Sequence, residues 1–120
     1  MPPVANLIVM RQIPLQEPEQ LGKLAESDTP VLIFKHSTRC SISMMAWTRL
    51  QRQWSDKLEQ LPVYYLDLLN YRPISAQIAE NFNVEHESPQ ALLISKGRCV
   101  WHASHNAISA AALEEALAQV

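Results

Sequence analysis

The sequence predicts an α/β domain built on a mixed, four- to five-stranded sheet with helices on both faces. Apolar runs of strand length alternate with segments of helical periodicity, and the last two runs are separated by a two-residue turn. A chain of 120 residues folds around one core, so we expect a single domain over 1–120. The N-terminal segment 1–12 is assigned only a short strand, in the run LIVMRQI.

The first half of the chain predicts a helix, a strand and a second helix. The segment 18–26 has acidic residues in its first turn and two leucines on one side, as in a short helix. The continuous apolar run 31–34 is typical of a strand covered on both faces. Over 40–58 an apolar stripe recurs every four residues, at Ala46, Leu50, Trp54 and Leu58. This pattern predicts an amphipathic helix, with Ser37 or Thr38 as its N-cap.

The second half predicts a strand, a helix, a hairpin and a last helix. The strand is VYYLDLL at 63–69, and the helix begins after Tyr71 with a proline in its first turn. ALLIS and RCVWHA flank the turn Lys96-Gly97 as an antiparallel hairpin, and Asn106 is placed to cap the final helix. Strands joined through a helix run parallel, so the sheet is mixed. Among the few architectures with this order, the thioredoxin-like fold is the leading one.

Cys40 is the candidate catalytic residue. It follows a strand and opens a helix, where unpaired backbone N–H groups and the helix dipole favour the reactive thiolate. Arg39 is the first cation expected to assist, because a guanidinium does not lose its charge; Lys35 and His36 are also close in sequence. Together with Arg39, the residues assigned to stabilise the thiolate are Thr38, Ser41 and Ser43. A buried, inert thiol is the competing interpretation, but Cys40 stands among polar residues.

Ser43 occupies the position at which a Cys-X-X-Cys motif has its second cysteine. In such a motif the second thiol attacks the mixed disulfide formed by the first, which a serine hydroxyl does not do. A mixed disulfide on Cys40 must therefore wait for an external thiol or for another cysteine of the chain. This indicates a carrier of small-thiol adducts rather than an oxidase or a general disulfide reductase.

Ser88-Pro89 directly precedes the ALLIS strand. Thioredoxin-like proteins place a cis proline there, facing the reactive cysteine, where the missing N–H shapes a groove for extended substrate. We therefore predict a cis bond, and assign His36, Ser88 and Pro89 to the substrate groove.

Composition excludes several classes of partner. The net charge of −2 and the pI of about 6.0 argue against nucleic acid or an acidic membrane as a partner. The N-terminus lacks a basic region ahead of its short apolar run, unlike a signal peptide. We expect a cytoplasmic protein with no membrane partner, and the sequence carries no signal for its oligomeric state. Two cysteines are too few for a Cys-rich zinc site, so no metal and no cofactor are expected.

Four motifs in order resemble the monothiol bacilliredoxin family of small thioredoxin-like proteins. They are FKHSTRCSIS at 34–43, YYLDLLNYRPIS at 64–75, ESPQALLISKG at 87–97 and VWHASHNAIS at 100–109, within a resemblance over 13–117. The resemblance implies removal of bacillithiol, or of a methylated relative, from bacillithiolated client proteins, with Cys40 taking the low-molecular-weight thiol. Ser41 stands where some relatives carry proline.

Two other functions remain open. A monothiol glutaredoxin carrying a [2Fe–2S] cluster shares the two ends of Cys40-Ser41-Ile42-Ser43, but the Gly-Gly pair of that family is replaced by SHNAIS. A thioredoxin-like adaptor with an idle thiol is the third hypothesis. Cys99 is interpreted as a packed residue of the last strand, His102 and His105 as structural, and Met44-Met45 as core rather than a rim for protein substrates.

Overall fold

The computed structural model describes residues 8–120, which form a five-stranded mixed sheet with helices on both faces, as predicted. The strands are β1 (Arg11–Pro14), β2 (Val31–His36), β3 (Pro62–Asp67), β4 (Gln90–Ser95) and β5 (Arg98–Ser104). The helices are α1 (Glu19–Ala25), α2 (Ser41–Gln53), α3 (Arg72–Phe82) and α4 (Ala110–Leu117). Most of the segment 1–12, including Leu7 of the predicted N-terminal strand, lies outside the described residues.

The strand order β1-β3-β2-β4-β5 places β2 in the centre of the sheet. β3 runs parallel to both β1 and β2, whereas β4 is antiparallel to β2 and forms the predicted hairpin with β5. In this register His36 pairs with Asp67, and Lys35 pairs with Gln90. The residues that follow β2 and β3 and those that precede β4 therefore meet at one end of the sheet.

Two hydrophobic cores cover the faces of the sheet. Leu32 and Phe34 pack against α2 and α4 on one face, while Val31 and Ile33 pack against α1 and α3 on the other. Because alternate residues of a strand point to opposite faces, the part of a central strand that lies between two helical layers is usually apolar on both faces. The buried run that begins at Val31 follows this pattern.

The predicted helix over 40–58 is too long. α2 ends at Gln53, where Trp54 adopts an extended ψ of 129°, and a 3₁₀ turn follows at Asp56–Leu58. Trp54 and Leu58 are nevertheless both buried in the core. The spacing of four residues thus predicted burial correctly, but the chain must leave the helix to return to the sheet.

The predicted cap of the last helix is also wrong. Asn106 lies in a 3₁₀ turn, His105–Ala107, and α4 begins at Ala110. Ser109 is the N-cap, and its hydroxyl accepts the N–H of Ala112 at 3.1 Å. Ile108 is fully buried immediately before the cap, so the chain inserts one side chain into the core before the helix starts.

Candidate active site

Cys40 is the N-cap residue of α2, in place of the predicted Ser37 or Thr38. Its backbone is extended (φ −108°, ψ 119°), and its carbonyl accepts the N–H of Met44 at 3.0 Å, the first bond of the helix. An N-cap side chain normally accepts the N–H of the second or third helical residue, here Ile42 or Ser43. Cys40 is half-buried, and within residues 8–120 its side chain makes no capping hydrogen bond. The N–H groups of the first helical turn therefore have no partner there that would compete with a thiolate.

The hydroxyl of Ser43 is fully buried, and its hydrogen bonds are to groups other than the sulfur of Cys40. Its Oγ lies 2.6 Å from His36 Nδ1 and accepts the N–H of Ser37 at 3.0 Å. With the proton on Nδ1, His36 donates to Oγ and the hydroxyl hydrogen is not used in this pair; in the other neutral tautomer Nδ1 accepts that hydrogen. The assignment of Ser43 to the thiolate therefore depends on the tautomer of His36 and stays a prediction.

His36 lies in an aromatic layer next to the reactive turn, residues 37–40 between β2 and α2. Its ring centroid is 5.4 Å from that of Tyr65 and 6.3 Å from that of Trp47, and the ring is almost completely buried. Burial lowers the pKa of His36, and the Asp67 carboxylate opposes this shift. Burial, again with Asp67, raises the pKa of Tyr65. The layer therefore stays largely uncharged at neutral pH, and His36 contacts Ser43 rather than an open groove.

The remaining predicted residues surround the same end of the sheet. The Ser88–Pro89 bond is cis, as predicted, and leads directly into β4. Pro89 is buried and Ser88 is half-buried, while Thr38, Arg39 and Ser41 are exposed on either side of Cys40 in the chain. The topology thus gathers the whole predicted set at one end of the sheet, and the role of each residue in exchange remains a prediction.

Comparison with known proteins identifies the family. Residues 13–113 match the family described as monothiol bacilliredoxin BrxC. The chain belongs to this family. A solved structure described as a proposed oxidoreductase with a thioredoxin fold is 33% identical, with a TM-score of 0.77 over 88% of this chain and 92% of that one. Its membership of the bacilliredoxin family and its thioredoxin fold together show that this protein is a thiol–disulfide oxidoreductase.

Thioredoxins from distant organisms share the fold. Those of Malassezia sympodialis and Trypanosoma brucei brucei have TM-scores of 0.72 and 0.73 at 14% and 11% identity. The matches cover 92% and 99% of this chain, and 90% and 96% of the thioredoxins. At such low identity they establish the thioredoxin fold alone.

Cys99 lies at the far end of the sheet from the bacilliredoxin site. It pairs with Ile94, which is four residues along β4 from Gln90, or about 13 Å at the usual rise of a strand. Two cysteines can bond only when their Cα atoms are within about 7 Å. Cys99 packs against the α1/α3 core, and burial raises its thiol pKa. Both observations support the predicted packing role.

Three exposed apolar side chains follow the reactive turn, contrary to the expectation that Met44 and Met45 are core residues. Met45 is 66% exposed and Met44 45%, and Ile42 beside them is also exposed. Position in the first turns of α2 explains this, because Ser43, Ala46 and Trp47 form its buried face. The first turns of α2 therefore carry an exposed apolar surface.

Among residues 8–120, no helix is long and apolar enough to cross a membrane. Within the same residues, no cluster of three or more histidine, cysteine or acidic side chains has the arrangement of a metal site.

Lys35 does not belong to the thiol site, although it is close to Cys40 in sequence. Its side chain is fully buried on the opposite face of the sheet, where Nζ lies 3.3 Å from the Ser75 carbonyl and 3.2 Å from His86 Nδ1. Burial lowers its pKa to about 8. A period of two along β2 could have revealed this, because Lys35 and Phe34 must point to opposite faces.

Replacing Lys35 with methionine is expected to stabilise the protein by about 1–3 kcal/mol at pH 7, because the variant buries no charge. The folded pKa of about 8 is below the unfolded 10.5, so the folded state binds fewer protons between these values. The free energy of unfolding of wild type should therefore rise between pH 8 and pH 10.5. Below pH 8 the full cost of burying the charged Lys35 applies.

Urea unfolding at pH 7, 8.5 and 9.5 measures both effects. The free energy of unfolding of Lys35→Met should lack the increase with pH that wild type shows. The exposed control Lys23→Met should show the same increase as wild type. Equal pH dependence in Lys35→Met and wild type would contradict the buried charge.

Proposed function

We propose that this protein removes bacillithiol, or a related low-molecular-weight thiol, from mixed disulfides on client proteins in the cytoplasm. The observation that carries the proposal is the placement of Cys40. It is a half-buried N-cap thiol with serine at the resolving position and with the second cysteine of the chain at the far end of the sheet. Such a site can accept one thiol adduct and has no partner thiol to discharge it.

The exchange needs no net oxidant. The Cys40 thiolate attacks the bacillithiol sulfur of the mixed disulfide, a bond forms between these two sulfurs, and the bond to the client sulfur breaks. The client leaves as a thiolate and takes up a proton from water. A second low-molecular-weight thiol then attacks the adduct, restores Cys40 and leaves as a disulfide with the first.

The choice of bacillithiol rests on the family and on the four motifs that resemble it. The surroundings of Cys40 support the use of protein clients. The carbonyl of the cis Pro89 already accepts the N–H of His105, so the free backbone edge is that of the half-buried Ser88 before it. The exposed Met44 and Met45 add an adaptable apolar surface in the first turns of α2. A client segment bound there would present its modified cysteine to Cys40.

Intact-mass spectrometry tests the proposal. Reduced protein with Cys99→Ser is mixed with a reporter client that carries bacillithiol on its only cysteine. We expect Cys40 to gain one bacillithiol for each client thiol released. An unmodified Cys40 and a client that keeps its bacillithiol would reject the function. In that case, visible absorbance of the anaerobically purified protein would favour the [2Fe–2S] cluster carrier. A colourless protein would favour the adaptor with an idle thiol.

A further inference from the structure

An open pocket lies beside the reactive turn, between the loop that follows β2 and the loop that follows β3. Its volume is about 360 Å³, and it is lined by Thr38, Arg39, Leu69, Asn70 and Arg72. Two of these residues, Thr38 and Arg39, belong to the loop that leads directly into Cys40, which is not itself part of the lining. Its size is at the lower end of the range typical of small-molecule sites, about 300–1,000 Å³.

The pocket carries two positive charges and no negative one. Arg39 and Arg72 form no ion pair with a carboxylate of residues 8–120, and their guanidinium groups make no hydrogen bond within that part of the chain. Arg11 and Arg49, in contrast, donate to backbone carbonyls. Two guanidinium groups without partners among residues 8–120, on one small concave surface, are suited to bind an anionic ligand.

The other groups around the pocket also favour an anion. Arg72 is the first residue of α3, whose N-cap, Tyr71, makes no side-chain capping bond. The positive end of the helix dipole therefore lies at a residue that lines the pocket. Asn70 donates its Nδ2 hydrogen to Asp67 Oδ2 at 2.7 Å, which holds the loop in place, while the other oxygen of this carboxylate is buried and does not line the pocket. Thr38 adds a hydroxyl that can donate.

We propose that this pocket binds the carboxylate groups of the small thiol that is exchanged at Cys40. Arginine is the side chain best suited to this task, since its planar fork matches a carboxylate with two parallel hydrogen bonds. The inference rests on the proposed function and adds to it the recognition of the transferred group. The small thiol occupies the side of Cys40 formed by Arg39 and Arg72, and the client occupies the side formed by Pro89 and Met45.

The pocket explains how one cysteine could prefer one of the two sulfurs of a mixed disulfide. Exchange is productive only when Cys40 attacks the sulfur of the small thiol, because attack on the client sulfur would trap the client. A pocket that holds the carboxylates next to Cys40 brings the small-thiol sulfur forward. Arg72 acts here as a specificity-determining residue, and its effect must depend on the charge of the adduct.

Two adducts on the same reporter client test this dependence. One adduct is bacillithiol, which carries carboxylates, and the other is β-mercaptoethanol, which carries none. Because the client is the same, its own acidic residues affect both rates equally. We expect Arg72→Gln to lower the ratio of the bacillithiol rate to the β-mercaptoethanol rate by about tenfold. Arg72→Lys should restore part of the ratio, and Arg98→Gln on the exposed side of β5 should keep the wild-type value.

A ratio unchanged in Arg72→Gln would overturn the proposal, and so would an equal loss of both rates, since that pattern indicates a structural role. Binding separates this result from the proposed function. S-methyl bacillithiol cannot exchange, so NMR titration measures its affinity alone. Binding to wild type that weakens about tenfold in Arg72→Gln supports the pocket even if no exchange occurs. No detectable binding to wild type would overturn it while the exchange reaction stands.

Discussion

Cys40→Ser is expected to slow release of the client thiol by about a thousandfold or more and to leave no bacillithiol on the protein. A serine hydroxyl remains protonated at neutral pH and does not attack a disulfide, whereas the thiolate is the nucleophile of this exchange. The substitution retains the size and N-cap preference of the side chain, so the fold should be unaffected. A thiol-specific dye measures the released client, and intact mass measures the adduct.

Cys99→Ser is the matched control for this variant. Cys99 is packed at the other end of the sheet, so its loss should leave the rate within about twofold of wild type, as for residues outside a site. Client release that persists in Cys40→Ser, or that disappears in Cys99→Ser, would show that the reactive sulfur has been assigned to the wrong residue.

Ser43→Cys should change the lifetime of the adduct more than the rate at which it forms. The introduced thiol stands three residues after Cys40, at the resolving position of a Cys-X-X-Cys motif. It should attack the Cys40 adduct within the same molecule, expel free bacillithiol and form an intramolecular disulfide. We expect the adduct lifetime to fall by about a hundredfold or more, because an intramolecular thiol has a high effective concentration.

The same substitution removes two hydrogen bonds of a buried hydroxyl, those to His36 and to the N–H of Ser37. We expect the free energy of unfolding to fall by about 1–3 kcal/mol as a result. Ser43→Ala is the matched control, since it removes the same bonds and adds no thiol. Mass spectra recorded after external thiol is removed should show a persistent adduct in Ser43→Ala and in wild type. An equally persistent adduct in Ser43→Cys would contradict a resolving position at residue 43.

The distribution of charge around Cys40 was only partly predictable. Arg39 is exposed next to Cys40 in the chain and its role stays a prediction, whereas Lys35 is buried on the opposite face of the sheet and Arg72 comes from another strand–helix connection. Neighbours in sequence on a strand are not neighbours on one face, because the side chains alternate. Residues 33 positions apart meet here because β2 and β3 are parallel and end together.

Burial along α2 shows a similar division. The apolar stripe at Ala46, Leu50, Trp54 and Leu58 predicted which side chains enter the core, and all four do. It did not predict that the helix ends at Gln53. Helix length depends on where the chain must turn to reach the next strand, and residue spacing carries no information about that distance.

The sequence by itself determined the order of elements, a cysteine at a helix start, the serine in place of a second thiol and the proline before β4. These properties are local, since each depends on residue types and on spacing within a few positions. The tertiary structure alone decided that His36 binds Ser43, that Cys99 is remote and that Arg39 and Arg72 share a pocket. Such contacts join residues far apart in the chain, and strand order and register determine them.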